Sequence, residues 1–183
     1  KGEGGYIVPP PGFHKEMHRM AKKYGILYVA DEVQSGMGRT GKMFAMEHFG
    51  VKADIMSLAK GIASGLPLGA TIAPAKIMNW EAGSHASTFG GNPLSCRASL
   101  ATIELLEKNL MKNAAKQGDR LMNGLTALQK SFECMGDVRG RGLMVAVELV
   151  KDRETKEPAT KWRSRIIKNS FEKGLLLLCC GEN

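Results

Sequence analysis

The stretch Gly25-Ile-Leu-Tyr-Val-Ala-Asp-Glu-Val-Gln-Ser-Gly-Met-Gly-Arg-Thr-Gly-Lys42, GILYVADEVQSGMGRTGK, begins with an unbroken apolar run, Ile26 to Ala30, that ends in two acids. A short continuous run of this kind predicts a strand buried on both faces, as in a parallel sheet. From Gly36 the stretch also spells Gly, four residues, Gly41, Lys42, close to the phosphate-binding loop of nucleotide hydrolases. That reading fails on three counts. Met43 stands where the magnesium-holding hydroxyl is needed, and Glu32 to Gly36 lie between Asp31 and Met37, so the loop does not spring directly from the strand. The acid-tipped strand also precedes the loop, against the usual order.

Outward from this stretch, strands and helices alternate. Ile55 to Ala59 predicts a second buried strand, ending at Lys60. The Gly-rich turn GIASGLPLG follows, and Ala70 to Ala73 reads as a third strand. Upstream, Phe13 to Tyr24 has helical periodicity, with Phe13, Met17, Met20 and Ala21 on one side and Gly25 as its stop. Lys42 to Phe49 reads as a short helix. Downstream, SHASTFGGNP is loop, and Leu94 to Glu107 is a helix with Pro93 at its first turn. Lys112 to Phe132 is a more polar helix weakened by Gly118 and Gly124. Val138 to Gly142 reads as a turn, Leu143 to Val150 as an alternating strand, Ala159 to Lys173 as a helix and Leu175 to Leu178 as a final strand. The class is α/β, with a mainly parallel sheet and flanking helices in the first part. Composition shifts near Leu110, which places a domain boundary between residues 1–109 and 110–183.

Of the 183 residues, 43% are apolar and 24% charged, ordinary for a soluble globular protein. The net charge of +8 is spread over helix faces such as KEMHRMAKK, with no interleaved aromatic residues for stacking bases. No nucleic-acid partner is expected. No apolar run approaches the eighteen or so residues of a membrane span. Cys96, Cys134, Cys179 and Cys180 have no CxxC spacing, which suits a reducing cytosol. His14 and His18 are spaced i, i+4, but Lys15 replaces the Glu of a zinc HExxH motif, so they read as surface histidines and no metal is expected. The chain opens KGEGGY and ends CCGEN, which reads as a piece of something longer.

Two residues sit alike at strand carboxyl ends, where open α/β sheets bind ligands: Asp31 and Lys60. Spacing alone leaves open that Lys60 merely starts a turn. A desolvated lysine can instead form a Schiff base. Pyridoxal phosphate (PLP) chemistry needs such a lysine, an acid facing the pyridine nitrogen, and hydroxyls and amides at a helix start for the phosphate. The loop with Ser84, Ser87 and Thr88 supplies the last.

GEGGYIVPPPGF (Gly2–Phe13), the long block from Ala30 through AKG (residues 59–61) to Ala70, STFGGNPLSC (Ser87–Cys96) and VRGRGLMVAVELV (Val138–Val150) together resemble the class III PLP-dependent aminotransferases, such as the 4-aminobutyrate, ornithine and acetylornithine enzymes. The resemblance implies a fold-type I transferase. Residues 1–109 would be the second half of the large PLP-binding domain and 110–183 part of the small C-terminal domain. It implies that Asp31 pairs with the pyridinium nitrogen, Val33 packs on a ring face, and Gln34 hydrogen-bonds toward the ring hydroxyl. Lys60 would carry the cofactor as a Schiff base and move a proton between substrate Cα and C4′. Thr88 would reach the phosphate of a neighbouring subunit's cofactor, which makes the enzyme a homodimer or dimer of dimers.

The implied reaction moves an amino group from an amino acid or ω-amino donor to a 2-oxo acid, in a cytoplasmic enzyme of the 4-aminobutyrate type. A racemase or a decarboxylating member would use the same Lys60 and Asp31. A non-catalytic basic α/β binding module is the distant alternative. The family's phosphate loop and ring-stacking aromatic fall before the first residue here. The 183-residue piece alone is therefore expected to be inactive. Arg39 reads as structural, in a loop that serves backbone geometry, and so do Arg139 and Arg141, because the resemblance implies that an arginine soon after the LLLLCCG region grips the substrate carboxylate.

Overall fold

Parallel pairing joins the two acid- and lysine-tipped segments. In the computed structural model, which describes residues 2–181, β1 (Val29–Asp31) pairs in parallel with β2 (Ile55–Leu58). The register sets Val29 against Ile55, Ala30 against Met56 and Asp31 against Ser57. β3 (Ala70–Ile72) joins the other edge of β2 antiparallel, giving the order β1-β2-β3. Lys1, Glu182 and Asn183 lie outside the described residues.

The first strand is shorter and later than the apolar run predicts. Ile26 and Leu27 precede it and are exposed, and β1 runs one residue further, through Asp31. The Tyr28 carbonyl accepts from the Asp54 and Ile55 amides, and Asp54 Oδ2 accepts from the Tyr28 amide at 2.8 Å. These bonds set the register at the point where the strands meet.

By contact, the chain divides into two units: Pro9–Ala115, and residues up to Val8 together with Lys116 onward. In the first, α1 (Phe13–Lys23) ends at Tyr24 and Gly25. Its histidines are half-buried, against expectation. His14 Nδ1 lies 2.7 Å from the Tyr28 hydroxyl, its ring packs 4.4 Å from Phe49, and His18 stacks edge-on against Tyr28. Burial pushes the His14 pKa down and that of Tyr28 up. The expected apolar side of α1 stands open instead, with Phe13, Met17 and Met20 43–48% exposed.

The core of this unit is Met37, Leu58, Ile62, Ala63 and Leu106, with a second cluster of Ala30, Met46 and Val51. Residues 42–49 form only a short 3-10 helix, Ala45–Phe49, opened by Glu47 Oε1 accepting from the Phe44 amide. α2 (Pro93–Leu105) is capped by Asn92, whose Oδ1 accepts from the Leu94 and Ser95 amides. A π-helical turn, Leu106–Leu110, continues it toward α3 (Met111–Ser131). Gly118 does not break α3. A Cβ there would come 2.2 Å from the Gly142 carbonyl oxygen, so glycine allows a close backbone approach.

In the other unit, residues 138–142 are not a turn. Residues 138–141 belong to β4 (Met135–Arg141), which pairs antiparallel with β5 (Met144–Leu149), and only Gly142 of that stretch lies in the turn between them. Gly136, Asp137 and Gly140 disfavour strands locally, but Arg139 bridges Asp137 on its own strand and Glu148 on the facing one. The core here is Met135, Leu149 and Ala159, with Leu125, Val138 and Val147 packed on it. α4 (Thr160–Glu172) follows. Leu175–Leu178 is not a strand: it has no ladder partner among the described residues, and Leu178 is 96% exposed.

Candidate active site

Period-two alternation at the end of β1 sorts four residues onto two faces. Ala30 and Glu32 turn inward, 6% and 2% exposed, whereas Val29 and Asp31 turn outward. Asp31 therefore presents its carboxylate on the open face. Its Oδ1 accepts from the Val33 amide at 3.0 Å, and the Ser57 hydroxyl lies 3.5 Å away. Neither contact neutralises the charge, which leaves the carboxylate available to a cationic partner such as a protonated ring nitrogen.

β2 delivers Lys60 to the same end of the parallel pair. Lys60 opens a 3-10 turn, Lys60–Ala63, whose Ile62 and Ala63 are buried against the core. Burying a side chain such as Ile62 stabilises by about 2 kcal/mol, and α2 packs on this turn, where Ser64 Oγ meets Thr102 Oγ1 at 2.8 Å. The turn is thus anchored while the Lys60 side chain stays exposed, with no ion pair among the described residues. Its backbone φ is +49°, left-handed for a residue with a Cβ. Such conformations cost about 1–3 kcal/mol and gather at functional sites. An outward acid and an anchored, unpaired amine at adjacent strand ends fit the two fixed points that PLP requires, its ring nitrogen and its aldehyde carbon.

Val33 and Gln34 are half-buried in the loop directly after Asp31. Thr88 lies apart, exposed in the loop before Asn92, with no hydrogen bond to Asp31, Val33, Gln34 or Lys60. The Gly-rich loop serves backbone geometry. Gly38 has φ +82°, and a Cβ there would sit 2.5 Å from Leu106 Cδ2. Arg39 is exposed, without a hydrogen bond or ion pair among the described residues. Arg139 is committed to Asp137 and Glu148, and its Nε donates to the Gly5 carbonyl at 2.7 Å. Burial alone would lower its pKa, but hydrogen bonds to the two carboxylates raise it on balance.

The residue the sequence reading passed over is Glu32. Its carboxylate is buried, with Oε1 accepting from the Met46 amide at 2.8 Å and Oε2 from the Ser35 hydroxyl at 2.5 Å. The signal was present in the strand alternation, which puts Glu32 on the same face as Ala30.

Asp31 and Lys60 thus stand at the ends of adjacent parallel strands. The family model for aminotransferase class-III matches residues 1–183. The chain belongs to the class III aminotransferases, and its fold is part of their fold-type I α/β architecture. It is 47% identical over 179 residues to a leucine/methionine racemase of Thermococcus litoralis, covering 97% of this chain and 40% of that protein. It is 40% identical over 183 residues to a 4-aminobutyrate aminotransferase of Escherichia coli, covering 99% of this chain and 43% of that one. The chain thus spans less than half the length of these curated relatives. The solved taurine:2-oxoglutarate aminotransferase of Bifidobacterium kashiwanohense, in complex with PLP and glutamate, matches with a TM-score of 0.92 at 30% identity, over 99% of this chain and 43% of that one. Among the described residues, no helix is long and apolar enough to cross a membrane.

Proposed function

We propose that this chain is the Lys60-bearing part of a PLP-dependent aminotransferase that moves an amino group from an amino acid or ω-amino donor to a 2-oxo acid. The observation that carries this reading is the placement of Asp31 and Lys60 at the carboxyl ends of adjacent parallel strands, the acid facing outward and the lysine unpaired. PLP, when bound, supplies an electron sink for a bond broken at the substrate Cα. With PLP bound, Asp31 would hold the proton on the ring nitrogen, Val33 would cover a ring face, and Gln34 would donate toward the ring hydroxyl. Lys60 Nζ would be the point of attachment and the base that moves a proton from substrate Cα. Thr88 serves the phosphate of a second subunit's cofactor, so a homodimer or dimer of dimers is part of this reading. Residues 1–109 then belong to the large domain and 110–183 to the small one, in a cytoplasmic enzyme. The 4-aminobutyrate aminotransferase relatives favour an ω-amino donor.

A second reading, amino-acid racemisation, is favoured by the two racemase relatives, at 47% and 44% identity. It would use the same Asp31 and Lys60 and would differ in that a proton is delivered to the opposite face of Cα rather than to C4′.

Borohydride reduction of the full-length protein with PLP, followed by peptide mapping, tests the site: a pyridoxyl adduct on Lys60 is expected, and an adduct-free Lys60 overturns it. Each enantiomer of an amino acid, supplied with and without a 2-oxo acid, separates the two reactions. Turnover that requires the 2-oxo acid marks the transaminase. Inversion without it marks the racemase.

A further inference from the structure

The peptide between Glu32 and Val33 is pinned from both sides. Its carbonyl accepts from the Gly36 amide at 2.9 Å, and its N–H, that of Val33, donates to Asp31 Oδ1 at 3.0 Å. A peptide is one rigid plane, so whatever holds the carbonyl also aims the N–H. Glu32, the residue on its N-terminal side, is itself anchored at both amide and side chain. Its own amide donates to the Ser57 carbonyl at 3.0 Å, one rung beyond the Asp31–Ser57 pair. Its carboxylate takes the Met46 amide and the Ser35 hydroxyl. The side chain is 2% exposed and has no ion-pair partner among the described residues. A carboxylate buried without a cation is retained at a desolvation cost, which a purely space-filling position would avoid with an apolar residue.

We propose that Glu32 is a positioning residue: it fixes the peptide that orients the Asp31 carboxylate and the Val33 side chain, an assignment that rests on the cofactor site proposed above. Glu32 acts from the opposite face of the strand and never touches the ring. Its two acceptor oxygens tie the start of the Ala45–Phe49 helix and the Ser35–Gly36 turn to the tip of β1. Glutamine can keep both bonds. Its amide oxygen can accept from Met46, and its amide nitrogen can donate to Ser35, whose hydroxyl also accepts. Alanine keeps neither.

The test uses the full-length holoenzyme carrying this segment and reads two quantities: the PLP dissociation constant, and the pH midpoint at which the bound cofactor's visible absorption changes. Loss of one such hydrogen bond is expected to weaken PLP binding about threefold to tenfold in Ser35→Ala, and about tenfold or more in Glu32→Ala. The absorption midpoint moves in both, because the Asp31–ring contact loosens. kcat falls while KM for the amino donor holds. Glu32→Gln recovers most of the affinity. If Ser35→Ala leaves affinity and midpoint unaltered, the assignment is overturned, even where Glu32→Ala does not fold. It is equally overturned if Glu32→Gln is as impaired as Glu32→Ala. A Lys60 adduct present in every protein with no such shifts removes the role of Glu32 alone. An adduct missing from the wild type removes the cofactor site as well.

Discussion

Asp31 and Ser57 face each other at the last rung of the parallel β1–β2 pair, and Lys60 follows Ser57 by three residues on the same strand end. One carboxylate and one amine are thereby delivered to a common edge by backbone pairing alone. Neither side chain has to reach across the sheet.

Replacing Lys60 tests the amine directly. Lys60→Ala and Lys60→Arg should each lower turnover by on the order of 10⁴-fold or more, as loss of a central nucleophile and base does. Since Lys60 is exposed, the melting temperature should stay close to wild type. Intact mass after borohydride reduction should show no pyridoxyl adduct, and a retained adduct would move the attachment to another lysine.

Asp31→Asn keeps an oxygen for the Val33 amide but removes the charge. Turnover should fall about 100- to 1,000-fold, typical of removing one electrostatic stabiliser. The fold should hold. Steady-state kinetics with unchanged kcat would show that Asp31 does not face the ring nitrogen.

Gly36→Ala would place a Cβ 2.7 Å from the Glu32 carbonyl oxygen and 3.2 Å from its Cβ. The neighbour is backbone and cannot swing away. Overpacking of this kind should destabilise by about 1–3 kcal/mol, read as a lowered urea midpoint.

Arg139→Met takes the guanidinium away from Asp137 and Glu148 and releases the Gly5 carbonyl. A loss of about 1–3 kcal/mol is expected from the abandoned hydrogen bonds. Arg139→Lys should recover only part of it, because one ammonium nitrogen cannot stand both between the two carboxylates, where Nη1 lies, and at the Gly5 carbonyl, where Nε lies. Denaturant midpoints for the two variants check the ordering.

His14 should make stability pH-dependent. Burial lowers its pKa from the ordinary 6.5, with Glu32 opposing this in part, so the folded state binds the proton more weakly than the unfolded chain does. The stability that neutral His14 contributes is complete above pH 6.5 and is lost as pH falls below that value through the folded pKa. Melting temperatures of wild type and His14→Gln should therefore converge between pH 7.5 and 5.5. A constant gap across that range would place the effect elsewhere.

Much of the α/β arrangement was legible because it is written in local pattern. The run before Asp31, the run before Lys60 and the Asn92-Pro93 helix start each carry their own signal within a few residues. Three features were not legible, for different reasons. β4 reads as a turn because glycine disfavours strands, and pairing along β5, with Met135 and Val138 packed in the core, overrides that local preference. Leu175–Leu178 reads as a strand because leucine runs favour one, yet a strand needs a partner and none of the described residues provides it. The histidine side of α1 reads as surface, but the aromatic rings of Tyr28 and Phe49 receive it.

By itself the sequence determined that one apolar run leads into an acid and the other into an amine, since strand propensity and punctuation are short-range, although it placed both strand ends a residue away from where they fall. Tertiary structure alone decided that those strands are neighbours in parallel register, because ladder pairing joins residues some 26 positions apart. It also decided that Glu32 is buried and bonded while Asp31, beside it in the chain, faces out. Alternation can suggest two faces, but only packing against Met46 and its amide says which of them is the interior.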